Sequence, residues 1–352
     1  MTSRIHFESH IEKAGFHSPL EGMQVAEQTI EVRTDPLTGM TAIASEGLSE
    51  KEEMFLGKTD WEYTDELVAK SREGCFFCPE KVYDATPRYP DDLVPGGRLQ
   101  RGRALVFPNL FPLSGVHAVV AYPEKHYLRP SEFSPDLLEE GLGAALDFIR
   151  RAERYYPHLV HLELCCNHML PAGASLVHPH LQVFGGETPP WQVDMYWRRS
   201  AEWLAANGSD YWQELVALER ELGERYIHGS EGAHWLTPFA PAGAREVIAV
   251  VPDVDRLSRL GEDQAGSLAA GLSKVLSWYE DEGLSAFNFT LFGGPLRGHE
   301  AGFPVVLRVI ARTAFRRDYR TDDYFLQKQL GGELMFSPPE TIAARLRERF
   351  SA

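Results

Sequence analysis

The chain has 352 residues, of which 43% are hydrophobic and 24% charged, so it can bury a sizeable core and is not disordered, collagen-like or a coiled coil. Lysine and arginine total 35 against 51 aspartates and glutamates, and the net charge of −16 argues against a general DNA or RNA binder. No run approaches about 18 consecutive apolar residues, which excludes a membrane span.

The first half of the chain carries a strand, helix, strand and loop pattern after an N-terminal segment, residues 1–30, that we predict to be irregular. A serine followed by proline at Ser134 predicts a helix start, and apolar residues then recur at helical spacing up to Ala152. Strands are predicted at 103–107, 115–122, 161–166 and 178–184, with a loop of small residues at 171–175.

The second half repeats this order. Strands are predicted at 246–251, 286–291 and 304–311, a helix at 263–279, a glycine-rich loop at 293–302 and a last helix after Ser337. Prolines 123 and 179 of the first half are 56 residues apart, and prolines 252 and 304 of the second are 52 apart. We favour an internal duplication, although any α+β protein can produce such a coincidence.

The segment Cys75-Phe-Phe-Cys78 has the spacing that presents two thiolates to one tetrahedral metal ion. Such a knuckle needs two more ligands, and His126 and His178 are the histidines at the ends of predicted strands. Two sulfurs and two imidazole nitrogens make a closed zinc site. The alternative is a pair of buried free thiols. With no secretory signal, we expect a reducing, cytoplasmic location and no structural disulfide.

Two histidines flank a proline at His178 and His180, and residues two apart on a strand point to the same side. If His178 binds the metal, His180 is free to attack an α-phosphorus as a neutral imidazole. Gln182 would face the same pocket and donate to a phosphoryl oxygen. The loop that ends at Ser175 could hold phosphate oxygens. The alternative is that both histidines chelate a metal without catalysis.

The combined motifs resemble the galactose-1-phosphate uridylyltransferase branch of the histidine-triad superfamily. The resemblance is carried by Asn167-x5-Gly173-x-Ser175-x2-His178-Pro179-His180-x-Gln182, by the Cys75-x-x-Cys78 knuckle and by Tyr122-Pro-Glu-Lys-His126. It is weaker at residues 33–39 and 323–329, and it covers about residues 30–350.

The resemblance implies an α+β fold with a duplicated histidine-triad-like core, in two antiparallel-sheet halves with packed helices. Residues 31–200 would form the half with the zinc site and the catalytic histidine. Residues 201–352 would form a half that lacks catalytic histidines and carries a sugar-binding segment. The implied mechanism is ping-pong: His180 attacks the α-phosphate of a nucleoside-diphosphate sugar, and a sugar 1-phosphate, or inorganic phosphate in related phosphorylases, then takes the nucleotidyl group.

The resemblance also implies a role for each matching residue. The implied Zn²⁺ ligands are Cys75, Cys78, His126 and His178. The implied residues around the transferred phosphates, besides His180, are Gln182, Ser175, Asn167 and Gly173. Asn109 would meet the nucleoside, and Asp323 and Gln329 would meet the hexose hydroxyls.

The chain departs from the family pattern in several places. Where the family carries a serine-proline with two arginines on the diphosphate, residues 43–53 are acidic, so those contacts come from elsewhere, with Arg101 and Arg103 as candidates, or are missing. Asp323 is one methylene shorter than the family's glutamate, which is compatible with a different sugar or acceptor.

The late strand of the second half also differs. Some family members bind a second metal there through a histidine pair, but residues 305–310 read Val-Val-Leu-Arg-Val-Ile, so we predict no second metal. Phe303-Pro-Val305 stands where the first half has residues 178–180. One half would therefore perform the chemistry and the other would supply structure.

Three functions remain open at the level of sequence. The first is a nucleotidyltransferase that works through a His180–nucleotide intermediate on a nucleotide sugar and a sugar phosphate. The second is a phosphorylase or hydrolase of a nucleotide sugar or dinucleotide with the same nucleophile. The third is a zinc-stabilised nucleotide-binding protein without turnover. The acidic surface and the many aromatic residues are compatible with a homodimer, and no nucleic-acid or membrane partner is expected.

Overall fold

The computed structural model describes residues 4–297 and 302–351. Part of the predicted glycine-rich loop, residues 298–301, lies outside the described residues. The described strands are β1 Glu8–Ser18, β2 Gln24–Thr34, β3 Thr41–Ser45, β4 Leu99–Arg101, β5 Ala104–Pro108, β6 Val116–Ala121, β7 His161–His168, β8 His180–Gly186, β9 Tyr226–Gly229, β10 His234–Leu236, β11 Val247–Val251, β12 Phe287–Phe292, β13 Val305–Ala311 and β14 Gly332–Leu334.

Helices of very different length connect these strands. They are α1 Glu46–Ser49, α2 Glu52–Phe55, α3 Trp61–Arg72, α4 Val82–Ala85, α5 Pro135–Tyr155, α6 Trp191–Asn207, α7 Tyr211–Leu222, α8 Glu262–Asp281 and α9 Pro339–Ser351. Within the described part of the chain, no helix has the length and apolar character needed to cross a membrane. The elements predicted for both halves are found, with ends that move by one or two residues.

Ten strands form one antiparallel sheet in the order β4-β5-β6-β8-β7-β12-β13-β11-β10-β9. Counted from each outer edge, both halves have the same order: first, second, third, fifth and fourth strand of the half. The two fourth strands, β7 and β12, pair with each other antiparallel at the centre of the sheet. The predicted duplication and the predicted α+β fold are therefore confirmed.

The long helices α5 and α8 contact each other and cover one side of this sheet, which we call the helix face. The helix α5 begins where the sequence predicts, because the Ser134 hydroxyl accepts a hydrogen bond from the Leu137 N–H at 3.3 Å. Leu142 of α5 and Leu272 of α8 are buried in one core with the strands of both halves. Burial of such a leucine contributes about 2 kcal/mol, so this shared core holds the two halves together.

The opposite side of the sheet, which we call the site face, is covered only in part. Helices α6 and α7 cover it over the second half through a cluster that includes Tyr196, Trp212 and Val306. The Cys75–Cys78 segment covers it over β5 and β6 through Phe77 and Phe107. The side chains of β7, β8 and β12 between these covers are half-exposed at several positions on this face, which leaves room for a ligand.

The N-terminal segment does not fit the prediction. Of residues 1–30, those described include β1 and most of β2, which pair over eleven residues from Glu8↔Thr34 to Ser18↔Gln24. The prediction of an irregular segment is wrong because nearly all of β1 is exposed on both sides, so no apolar alternation marks it. β3 and, in parallel, β14 complete this second sheet of four strands.

The register of β13 corrects one detail of the predicted duplication. Val305 is buried in the core against the helices, whereas Val306 belongs to the site-face cluster. Since His180 lies on the site face, its counterpart in the second half is Val306 and not Val305. A shift of one residue exchanges the two faces of a strand, and it places Arg308 at the position that corresponds to Gln182.

The predicted boundary between residues 200 and 201 lies inside α6. Helices α6 and α7 connect β8 of the first half to β9 of the second. The division into 31–200 and 201–352 remains a proposal.

Candidate metal centre and reactive histidine

Cys75, Cys78, His126 and His178 meet in one buried cluster. One ligand atom of each residue lies within 4.8 Å of those of the other three. The Nδ1 atom of His178 lies 3.4 Å from the Cys75 sulfur, and the Nδ1 atom of His126 lies 3.3 Å from the Cys78 sulfur. The sequence predicted these four residues as one site. In the fold, the two cysteines lie in the loop between α3 and α4, His126 follows β6 and His178 precedes β8.

The two histidines are held so that Nδ1 of each ring points at the sulfurs. Nε2 of His178 donates to the Tyr122 carbonyl at 3.0 Å, and Nε2 of His126 lies 3.0 Å from the Ser71 hydroxyl. Such outer contacts fix the tautomer and leave Nδ1 as the free electron pair. The donor set therefore fits a divalent metal with a preference for sulfur and nitrogen.

The protonation states of the metal-free cluster also suit metal binding. Burial raises the pKa of Cys78 to about 11, and the neighbouring Cys75 adds to this effect. Burial lowers the pKa of His178 to about 4 and lowers that of His126. The imidazoles are neutral at pH 7 and ready to bind, while the thiols must release protons to a metal.

His180 stands at the first position of β8 with one nitrogen occupied. Its Nδ1 donates to the His178 carbonyl at 2.8 Å. This bond puts the proton on Nδ1 and leaves the electron pair on Nε2, which has no hydrogen-bond partner among the described residues. Burial lowers the pKa of His180. The ring is thus neutral at pH 7, the form that acts as a nucleophile.

Phe77 contacts both the four-residue cluster and His180. Its ring meets the rings of His178 and His180 edge to face, with centroids 5.7 and 5.5 Å away. Such contacts restrain ring orientation. The sequence analysis did not select Phe77, although its place between the two cysteines was a signal that it lies beside the site.

Gln182 lies on the same face as His180, and its amide orientation is set by His117. The Leu113 N–H donates to Nδ1 of His117 at 3.1 Å, so Nε2 of this ring carries the proton and donates to Oε1 of Gln182 at 2.9 Å. The amide nitrogen of Gln182 stays available for another acceptor. The sequence analysis missed His117, because its partner Gln182 lies 65 residues away on the neighbouring strand and no local spacing marks the contact.

The predicted phosphate loop lies just before β8. Gly173 has φ of +82°, a left-handed conformation that favours glycine, and Ser175 is exposed. The backbone N–H of Ser175 makes no hydrogen bond within the described residues. Ser175 therefore offers a free N–H in the loop that precedes β8.

Asn167 is held by a partner from the second half. Nδ2 of Asn288 donates to Oδ1 of Asn167 at 2.7 Å and to the Ala172 carbonyl at 2.9 Å. Arg312 donates to Oδ1 of Asn288 at 2.7 Å and is itself held by Asp322. Because an arginine can only donate, this arrangement fixes the Asn288 amide and leaves the amide nitrogen of Asn167 free.

The other predicted substrate residues are not all drawn together. Asp323 pairs with Lys328 at 2.9 Å and lies 3.4 Å from Arg312, which links it to the Asn288 contacts. Gln329 is exposed, and its side chain makes no hydrogen bond within the described residues. Asn109 lies at the end of β5, with Nδ2 3.3 Å from the His117 ring that orients Gln182.

The two arginines suggested for the diphosphate do not reach the site face. Arg103 pairs with Glu140 of α5 at 2.7 Å. Arg101 pairs with Asp147 of α5 and with Glu262 at the start of α8. Their partners belong to the helix face, so this expectation is wrong, since neighbouring helices supply carboxylates that hold both guanidinium groups.

Comparison with known sequences gives distant relatives. No family model matches the chain. An uncharacterized protein of Archaeoglobus fulgidus is 29% identical over 335 residues, which is 94% of this chain and 96% of that protein. A galactose-1-phosphate uridylyltransferase of Haemophilus influenzae is 27% identical over 133 residues, which is 36% of this chain and 38% of that enzyme.

Comparison with solved structures identifies the fold. An ADP-glucose phosphorylase of Arabidopsis thaliana with bound ADP-glucose superposes with a TM-score of 0.69 at 18% identity, over 91% of this chain and 98% of that one. A GalT-like protein of Arabidopsis thaliana gives 0.67 at 19% identity over the same shares, and a uridylyltransferase mutant gives 0.65 at 17% over 91% and 97%. The predicted resemblance to the galactose-1-phosphate uridylyltransferase fold is confirmed.

Proposed function

We propose that the protein is a nucleotidyltransferase that moves a nucleoside monophosphate from a nucleoside-diphosphate sugar to a sugar phosphate through a covalent intermediate on His180. The observation that carries the proposal is the free electron pair on Nε2 of His180, next to a four-residue metal cluster. The likeness to a uridylyltransferase and to an ADP-glucose phosphorylase supports the substrate class.

The reaction has two half-reactions at one phosphorus atom. Nε2 of His180 attacks the α-phosphorus, an N–P bond forms, and the P–O bond to the β-phosphate breaks, so that the sugar 1-phosphate leaves. A phosphate oxygen of the acceptor then attacks the same phosphorus and releases His180. The amide N–H groups of Gln182 and Asn167, with the hydroxyl and backbone N–H of Ser175 in the loop turned by Gly173, would stabilise the charge on the phosphoryl oxygens.

We propose Zn²⁺ as the ion held by Cys75, Cys78, His126 and His178, because two thiolates and two imidazoles suit its tetrahedral preference. A site with four protein ligands is closed, so the ion would stabilise the fold around His178. Through the carbonyl of that residue it would also help to orient His180.

The acceptor distinguishes two versions of the proposal. Inorganic phosphate in place of a sugar phosphate would make the protein a nucleotide-sugar phosphorylase, with an identical first half-reaction on His180. Asp323, which pairs with Lys328 near Arg312, is proposed to contact the hexose together with Gln329, and Asn109 to contact the nucleoside. We further propose a cytoplasmic location, which suits the free cysteines.

The experiment is incubation with α-³²P-labelled UDP-glucose or ADP-glucose, followed by gel electrophoresis at alkaline pH. We expect acid-labile label on the unaltered protein and on His158→Ala, a change at an exposed histidine, and no label on His180→Ala. Release of the label by a different sugar phosphate, such as galactose 1-phosphate, or by inorganic phosphate then identifies the acceptor, since glucose 1-phosphate only reverses the first half-reaction. Binding of the nucleotide sugar without label on any of these proteins would instead indicate a binding protein without turnover.

A further inference from the structure

We infer that a second pocket on the site face, built by the second half between β12, β13 and α6, binds the sugar of the substrate through its hydroxyl groups. The inference deepens the proposed function and rests on it. It adds a sugar subsite beside the contacts proposed for Asp323 and Gln329.

The pocket is a cavity of about 180 Å³ on the part of the sheet nearest to the reactive histidine. Its walls mix polar groups with an aromatic ring. Its polar and aromatic lining includes Gln192, Tyr196, Glu246, Asn288, Thr290 and Arg308. A cavity with a few convergent polar groups and an aromatic wall is the usual form of a small-molecule site.

Arg308 gives the cavity its strongest donors. Its Nε and Nη2 atoms both lie 2.6 Å from one oxygen of Glu246, and the other oxygen of Glu246 accepts from the Ala242 N–H at 2.6 Å. Nη1 of Arg308 has no hydrogen-bond partner among the described residues. The guanidinium is therefore held rigidly through one edge, while its other edge keeps N–H groups for a ligand.

The charge balance favours a neutral polar ligand over an anion. Glu246 is only 1% exposed and lies 2.6 Å from Arg308, an ion pair that opposes the rise in the pKa of Glu246 caused by burial, and Asp35 is near enough to act on both groups. An anion would have to displace a buried carboxylate or lie beside two of them. Hydroxyl groups can instead accept from Arg308 and bond to the amide of Gln192.

The register of the sheet places this pocket within reach of the reaction centre. His180, Asn167 and Asn288 are neighbours on three adjacent strands, as are Gln182, Cys165 and Thr290. Strands lie about 5 Å apart, so Asn288 and Thr290 are on the order of 10 Å across the sheet from His180 and Gln182. This distance suits a β-phosphate followed by a sugar ring.

The equivalence between the two halves gives a reason for the polar side chains in this pocket. Arg308 and Glu246 occupy the places that Gln182 and His117 occupy in the first half, in equivalent strand registers. Both pairs are hydrogen-bonded on the site face. One pair would serve the phosphate and the other the sugar.

The test compares binding of nucleotides with and without the sugar by isothermal titration calorimetry, using UDP-glucose and ADP-glucose against UDP and ADP. Arg308→Lys keeps the charge and removes the fork, and Thr290→Met fills the cavity. We expect Arg308→Lys to weaken binding of the nucleotide sugar by roughly 10-fold, the usual effect of losing one charge-assisted hydrogen bond. Thr290→Met should weaken it at least as much by blocking the cavity, and both variants should leave UDP or ADP binding unchanged.

Arg103→Lys is the matched control, because it makes the same change at an ion pair on the helix face. It should bind every nucleotide as the unaltered protein does. The inference would be overturned if Arg308→Lys and Thr290→Met bound the nucleotide sugar as tightly as the unaltered protein does. It would also be overturned if the variants lost as much affinity for UDP or ADP as for the nucleotide sugar. Failure of the unaltered protein to bind any of these nucleotides would refute the proposed function itself.

Discussion

One carbonyl group determines which nitrogen of His180 is free to react. The residue that offers this carbonyl is His178, whose ring points into the metal cluster. A single residue thus belongs to the candidate metal cluster through its side chain and holds the His180 ring through its backbone carbonyl. The proline between the two histidines lacks an N–H and has a restricted φ, which keeps this short segment in one conformation.

Asn288 provides a prediction at the same scale. Asn288→Asp still accepts from Arg312 but cannot donate to Asn167, so the amide of Asn167 loses its orientation. We expect kcat to fall roughly 10-fold, as for the loss of a positioned donor, with little change in KM or in the melting temperature. Steady-state kinetics and thermal unfolding measure both. In the double variant with Asn167→Ala the second change should add nothing, and fully additive losses would contradict the positioning role.

His168 gives a prediction on pH. It is buried against Phe287, with ring centroids 4.7 Å apart, and burial lowers its pKa to about 3 from an ordinary value of 6.5. Between these values the unfolded chain binds a proton that the folded chain does not, so stability falls as the pH drops below 6.5. His168→Phe should therefore lose about 2 kcal/mol less stability than the unaltered protein between pH 7 and 5.

Urea unfolding at the two pH values measures this difference. His158→Phe, at an exposed position, serves as the control and should keep the original pH dependence. The same slope in His168→Phe as in the unaltered protein would show that His168 is not held neutral.

At the scale of elements, the short Cys75–Cys78 segment contributes little core of its own. It is fixed to the sheet by Phe77, which packs on Phe107 of β5, and by the histidines that follow β6 and precede β8. A metal ion would tie these three places together, because a buried thiolate pair is otherwise costly.

Cys75→Ala tests this dependence on metal. We expect the protein to carry about one zinc per chain and the variant to carry far less, with a lower melting temperature. Metal analysis by mass spectrometry and thermal unfolding provide the measurements. Cys165→Ala, a cysteine outside the cluster, should retain its metal. An equal zinc content in Cys75→Ala and Cys165→Ala would remove the assignment.

At the scale of the whole molecule, the two halves share one sheet and one core. Leu142 and Leu272 belong to opposite halves but to the same buried cluster. Cooperative unfolding follows from such a shared core, and the metal cluster of the first half should therefore respond to a change in the second.

Leu272→Ala should destabilise the protein by about 2–5 kcal/mol and shift tryptophan fluorescence and metal release to the same lower urea concentration. Leu222→Ala, at an exposed position, is the control and should shift neither. Metal release that stays at its original urea concentration would mean that the halves unfold separately.

The sequence predicts features that depend on residues close together in the chain, and it misses features that depend on contacts between distant strands. Cys75, Cys78, His178, His180 and Gln182 are recognisable because residues two or three apart have a defined relative position in a turn or a strand, and His126 because it follows a predicted strand. Asn288 pairs with Asn167 on a strand more than 100 residues away in the sequence. The face of the sheet on which Arg308 lies depends on the register of β13, which differs by one residue from the predicted one. The β1–β2 hairpin escaped prediction because nearly all of β1 is exposed, so no hydrophobic period marks this strand.

The antiparallel pairing of β7 with β12 has a consequence for how the two copies diverged. A pseudo-twofold axis passes through this pair of strands. The strand ends proposed to carry the chemistry in the first copy therefore lie at one edge of the sheet, and the equivalent ends of the second copy, around Pro252 and Pro304, lie at the opposite edge. Each copy was thereby free to lose residues that the other required.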